Sequence, residues 1–139
     1  MKVMQLRSDE QLRQLLTSAK TIAVVGASTD LMRDSNHIMQ YLMQSGYRVI
    51  PVNPKYEAVL GQQCFPDVRS IGQAVDIVDV FRRSDAVPGI VEDALAAGAR
   101  FLWLQLGVVN PAAERHAEEG GMAVVEDRCI AIEHRRLMR

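Results

Sequence analysis

Four short stretches of this chain set glycine, hydroxyl, amide and basic residues just after apolar runs: Gly26-Ala27-Ser28-Thr29, Asn53-Pro54-Lys55, Phe81-Arg82-Arg83 and Gln105-Leu106-Gly107. The first can hold an anion. Gly26 lets the backbone turn tightly and approach a ligand, the amides after it have a helix dipole behind them, and Ser28 adds a hydroxyl. It is a poor dinucleotide fingerprint, because Ser28 and Leu31 stand where G-x-G-x-x-G has its second and third glycines. No Gly-Lys-Ser/Thr follows, so it is not a P-loop. Nor is it a nucleophile elbow, since Asp30 occupies the last glycine position of G-x-S-x-G.

The second stretch narrows the choice of anion. NAD-binding domains place Asp or Glu at the end of the second strand to accept from the ribose hydroxyls. Here Asn53 is followed by Pro54 and the cationic Lys55. An uncharged acceptor beside a cation suits a ribose that carries phosphate, which a carboxylate would repel. Arg33, in the loop after the first apolar run, can reach the same region. Each cation alone reads as solvated surface; with Asn53 they favour a phosphorylated ribose.

Catalytic groups are harder to find. His37, His116 and His134 all fall on expected helices, and only His37, opening the helix behind the Gly26 loop, is placed to assist an anion. Asp79 lies inside an apolar strand with Ile77 and Phe81 on its face, where a carboxylate must be paired, for instance with an arginine, or near solvent. A response-regulator reading needs an aspartate at that strand end and an acidic pair after the first strand, and the chain has Phe81-Arg82 and Gly26-Ala27-Ser28 instead. Cys64 and Cys129 form no C-x-x-C and have no histidine at ligand spacing, so both read as free thiols of a reducing cytosol. No catalytic residue and no metal are expected.

These stretches need elements to hold them. TIAVVG, YRVIPVNP, AVDIVDVF, RFLWLQLG and MAVVE read as strands one to five, and strands one, three and four are nearly continuous apolar runs, as in a parallel sheet covered on both faces. Ser8-x-x-Gln11 forms a capping box ahead of a helix with Leu12, Leu15 and Leu16 on one face. A second helix is expected from Ser35 or Asn36 to Gly46, carrying Ile38, Tyr41 and Leu42 inward. SDAVPGIVEDALAAG is a helix from a serine start to Gly98, Asn110-Pro111 opens one that ends at Gly120-Gly121, and CIAIEHRRLMR closes the chain as another. Residues 55–74 read as a loop with a short helix near 68–74. The alternation of strands and helices argues for a doubly wound α/β sheet, whose ligands lie outside the carboxyl ends of the strands.

With 139 residues the chain is expected to be one domain, residues 1–139. Its 16 basic and 17 acidic residues leave a net charge of −1, spread along the sequence, with no footprint for nucleic acid or anionic membrane. MKVMQLRSDEQ has no apolar signal core, and the best apolar run, FLWLQLGVV, is far short of the ~20 residues that span a bilayer. A cytoplasmic location is expected.

VVGAS with Arg33 and Ser35 downstream, then YRVIPVNP, VDIVDVFRR, LWLQLGV and EDRCIAIEH, in that order over residues 12–137, resemble the small stand-alone CoA-binding proteins. Their domain is similar to the Rossmann-like, CoA-binding N-terminal domain of the succinyl-CoA synthetase α-subunit. The resemblance implies a five-stranded parallel sheet, order 3-2-1-4-5, binding coenzyme A or an acyl-CoA across its carboxyl rim. It implies that Gly26, Ala27, Ser28 and Thr29 hold the diphosphate and that Arg33, Ser35 and Lys55 lie near the 3′-phosphoadenosine end. Asn53, Pro54, Phe81, Arg82, Gln105 and Gly107 shape the rest of the cleft. The synthetase works through a phosphorylated histidine in a second domain, and no histidine here has a matching context. The expectation is therefore a CoA-binding module without catalysis of its own, with an unknown protein partner open. Its rivals are a small NADP-dependent reductase and an interaction module that has lost its ligand.

Overall fold

The computed structural model of the chain describes residues 4–138. The reading of the first residues as free of a signal core falls partly outside them, on residues 1–3. Five strands, β1 (Thr21–Val25), β2 (Arg48–Val52), β5 (Ile77–Val80), β6 (Phe101–Leu104) and β7 (Ala123–Val125), form one parallel sheet in the order β2-β1-β5-β6-β7. The expected strands one to five are these five, each trimmed at its ends. On them alone the order reads 2-1-3-4-5, so AVDIVDVF lies beside β1. The position outside β2 is filled by a single parallel bridge, Val52 to Phe65. Counted as the third crossing, that bridge restores the sequence 3-2-1-4-5, with β7 sixth.

Five helices wind around the sheet: α1 (Asp9–Ser18), α2 (Asp34–Gln44), α3 (Val87–Ala96), α4 (Pro111–Glu119) and α5 (Ile130–Leu137). Alternate residues of each strand point to opposite faces, and both faces are covered. Ala23, Ile50, Val78, Leu102 and Val124 pack with Val87, Val91 and Ala94 of α3 and Ala113 and Ala117 of α4. Ile22, Val24, Val49, Ile77 and Trp103 pack with Leu12, Leu15 and Leu16 of α1, Met39 and Leu42 of α2, and Ile130 and Leu137 of α5. That two-sided burial is why the strands are largely apolar. Trp103 is fully buried, and its indole N–H donates to the Arg128 carbonyl at 2.8 Å.

The local signals act as their chemistry requires. Ser8 Oγ accepts from the Gln11 amide and Gln11 Oε1 accepts from the Ser8 amide, completing the capping box. Asn110 Oδ1 accepts from the Ala113 amide with Pro111 at the first helical position. Ser84, by contrast, opens a 3₁₀ turn, Ser84–Ala86, and makes no helix cap. On α2 the deepest residues are Met39 and Leu42, while Ile38 and Tyr41 are half-buried. The stretch 55–74 holds a hairpin that the sequence reading missed: β3 (Ala58–Val59) pairs antiparallel with β4 (Gln62–Gln63) through Leu60 and Gly61, both at positive φ, and a 3₁₀ turn follows at Arg69–Ile71. Strands of two residues are too short to show a period.

Candidate functional site

Each of the four stretches follows the carboxyl end of a strand, and the fold ties each to the next. Gly26 donates to the Val52 carbonyl at 2.9 Å, and Asn53 Nδ2 donates to the Ala27 carbonyl at 2.8 Å, which locks the loops after β1 and β2 together. Gly26 has φ +93°, and a Cβ there would stand 2.7 Å from the Phe81 carbonyl oxygen and 3.2 Å from Arg82 Cδ. The loop after β5 thus rests directly on the glycine. Ser84 Oγ accepts from the Val109 amide and the Ser84 carbonyl accepts from Asn110 Nδ2, joining the loops after β5 and β6. Gly107 donates to Asp127 Oδ1 at 2.7 Å, and Gln105 Oε1 accepts from the Ile130 amide at 3.1 Å, which fixes the loop after β7 and the start of α5. The rim is one hydrogen-bonded belt.

What the belt offers a ligand is mostly donors and positive charge. Among the described residues, the amides of Ser28 and Thr29, and those of Asp34 and Ser35 opening α2, donate to no protein acceptor. Asp34 and Ser35 lie at a helix start with no side-chain cap, where orphan donors and the positive end of the helix dipole gather. Ser28 is buried; its Oγ accepts from the Asp30 amide and lies 3.4 Å from the Tyr56 hydroxyl. Hydrogen bonds from Ser28 and Thr29 hold the Tyr56 phenol below its usual range. Tyr56 is a rim residue that sequence reasoning missed; a lone tyrosine two residues past Asn53-Pro54 carries no motif. Arg33, Pro54, Lys55 and Arg82 are exposed. Arg33 is 3.9 Å from Asp30, a loose pair open to solvent, and the Lys55 side chain has no acidic partner among the described residues.

Other predicted site residues are spent on structure. Asn53 uses Oδ1 on the Lys55 amide and Nδ2 on Ala27, so its amide builds the turn that presents Lys55. Ser35 is buried in the first turn of α2, and Phe81 is half-buried against the core. Asn36, read in the sequence only as one of two helix starts, donates to the Ser28 carbonyl at 2.9 Å from a buried position and anchors the Gly26 loop to α2.

The histidines lie apart from one another. His37 contacts the Leu31 carbonyl, His116 pairs with Glu92 at 3.2 Å on the surface, and His134 Nδ1 meets the Tyr41 hydroxyl at 2.8 Å. Asp79 departs from expectation. It is fully buried, neither carboxyl oxygen has a hydrogen-bond partner among the described residues, and desolvation raises its pKa well above the usual carboxylate value. No arginine meets it because its register neighbours are Val24 and Trp103, on a face closed by apolar helices. Among the described residues no group of three or more histidine, cysteine, aspartate or glutamate side chains could hold a metal, and no helix is long and apolar enough to cross a membrane.

A family model described as a CoA binding domain matches residues 20–135. The Bacillus subtilis protein YneT is 37% identical over 131 residues, covering 94% of this chain and 97% of its own. A hypothetical protein from Pyrococcus horikoshii has a solved structure that superposes with a TM-score of 0.94 at 41% identity, covering 100% of this chain and 98% of that one. An ADP-forming acetate–CoA ligase of Archaeoglobus fulgidus is 31% identical over 125 residues, which is 81% of this chain but 18% of the ligase.

Proposed function

The protein belongs to the CoA-binding domain family, and we propose that it binds coenzyme A or an acyl-CoA across the carboxyl rim of its sheet, acting as a binding module rather than a catalyst. The observation that carries this reading is the set of unpaired amides at Ser28, Thr29, Asp34 and Ser35, held against a rigid belt with Arg33, Lys55 and Arg82 beside it. In this reading the diphosphate lies on the Gly26–Thr29 loop, and Lys55 and Arg33 face the 3′-phosphate of the adenosine. Pro54, Phe81, Gln105 and Gly107 line the remaining path.

Thermal denaturation tests it. CoA at ~100 times Kd should stabilise the protein by about 2.7 kcal/mol, and NAD by less, since no carboxylate waits for its ribose diol. A larger shift with NAD than with CoA overturns the reading, and a shift with NADP alone favours the reductase.

Calorimetric titration tests the placement of the 3′-phosphate. Charge-assisted hydrogen bonds are worth roughly 1.5–3 kcal/mol where water is partly excluded, and the exposure of Lys55 and Arg33 reduces that. CoA should therefore bind about tenfold more tightly than dephospho-CoA, ~1.4 kcal/mol. Lys55→Ala should shrink the preference while leaving dephospho-CoA affinity nearly unchanged. Equal weakening of both ligands would place the lysine elsewhere.

A further inference from the structure

We propose that the molecule carries a second binding site at the amino end of its sheet, and that this site takes a small phosphate ester. An open cavity of about 550 Å³ lies there, where the C-termini of α1, α2 and α5 meet the starts of β1 and β2. Its walls include Thr17, Lys20, Ser45, Tyr47, Arg48 and His134. That volume is within the usual range for small-molecule sites. The strands of the sheet are parallel, so this edge is the one opposite the carboxyl rim. The site stands whether or not the rim holds CoA.

Charge decides what the cavity can hold. No acidic residue lines it, in a chain with more acidic than basic residues. The Arg48 amide donates to the Lys20 carbonyl at 2.9 Å, which sets the two cationic residues side by side. Neither cation makes an ion pair among the described residues. Asp76, which touches Lys20 through the backbone, is already spent. Its Oδ2 accepts from the Lys20 and Thr21 amides at 2.8 and 3.1 Å, and its Oδ1 pairs with Arg100 at 3.4 Å.

Helix C-termini ordinarily favour a cation. Here much of that negative end is capped from within. The Leu42 and Met43 carbonyls accept from the Tyr47 and Gly46 amides, and the Leu16 carbonyl accepts from the Tyr47 hydroxyl at 2.6 Å. The Leu137 carbonyl accepts from Arg13 Nε at 3.4 Å. The charge left without a partner is positive.

The remaining lining suits an ester better than a bare ion. A phosphate monoester brings nearly two negative charges at neutral pH, and a guanidinium fork matches its oxygens. Thr17 and Ser45 add hydroxyls. The half-buried rings of Tyr47 and His134, with centroids 5.6 Å apart and planes at 75°, offer surface to the organic part. His134 Nδ1 meets the Tyr41 hydroxyl, and Nε2 has no protein partner among the described residues. Lys20 and Arg48 are exposed, so screening keeps the affinity near the millimolar range, about 1 mM.

Two-dimensional NMR of the labelled protein tests the site with AMP, glycerol 3-phosphate and adenosine. At least one ester should shift the Lys20, Tyr47 and Arg48 amides, and adenosine should not. Those shifts should persist with CoA present in excess, which separates them from any ester held at the rim. Lys20→Gln and Arg48→Gln change exposed positions, with melting curves as the check on folding, and each should weaken the ester about fivefold. If neither ester at about 10 mM moves the three amides, the site does not exist. Shifts confined to residues 26–29 and 53–55, equal shifts with adenosine, or unchanged affinity in both folded variants also overturn it.

Discussion

Gly26→Val is expected to lower the melting temperature of the ligand-free protein by roughly 15 °C, a larger effect than any loss of ligand contact would produce. The glycine has φ +93°, a conformation that costs an L-residue about 1–2 kcal/mol and a β-branched one more. A Cβ would also stand 2.7 Å from the Phe81 carbonyl oxygen. That oxygen cannot retreat freely, because the Phe81 amide is held by the Val25 carbonyl at 2.8 Å. Backbone strain and the clash together should cost about 4 kcal/mol, a large part of the stability of a domain this size. Gly107→Ala is the control. Its φ is +80°, but a Cβ there meets nothing within 4 Å, so only the conformational cost of about 1 kcal/mol should appear. Melting curves without ligand decide the matter: a Gly26→Val protein that melts with wild type would show that the two loops do not touch as described.

That result would also revise how the glycine is understood. From the sequence alone Gly26 reads as an opening for a phosphate; in the fold it is equally the point where the loops after β1 and β5 meet. The strands were legible because burial on both faces leaves an apolar run with no interruption. The rim loops were legible because Gly, Pro and Asn mark turns, and a parallel sheet gathers the turns after its strands at one edge. The hairpin at Ala58–Val59 and Gln62–Gln63 was not, since two-residue strands around Leu60-Gly61 lack the Asn-Gly signal of a tight hairpin. Nor was the belt. Its bonds join Ala27 to Asn53, 26 residues apart, and Gly107 to Asp127, 20 apart, and no local pattern records a partner at that distance. The same limit hid the work of Asn53. A polar residue at a strand end advertises a ligand acceptor, and only the fold shows that its amide is spent on Ala27 and Lys55.

Asp79 carries the second large effect, and its sign follows from burial. The side chain is fully enclosed between Val24 and Trp103, and both carboxyl oxygens lack a hydrogen-bond partner among the described residues. Desolvation therefore favours the neutral acid and raises the folded-state pKa well above the usual value. A raised carboxyl pKa means that the native protein holds a proton the unfolded chain releases. Titration of the acid costs nothing below the unfolded value of about 3.9, and stability falls as pH rises from there towards the folded value, by up to about 1.4 kcal/mol per pH unit. Asp79→Asn keeps the shape and removes the titration. At pH 4 the variant should match wild type or fall slightly below it, because the amide is also an unpartnered polar group. Above that the curves should cross and separate, with the variant ahead at pH 7. Asp79→Val, which leaves no polar atom behind, should be ahead at neutral pH by at least as much. Urea denaturation of the three proteins from pH 4 to pH 8 measures the difference directly. Parallel pH profiles for wild type and Asp79→Asn would mean that the carboxylate ionises normally in the folded chain, which requires a partner or water at the centre of the sheet.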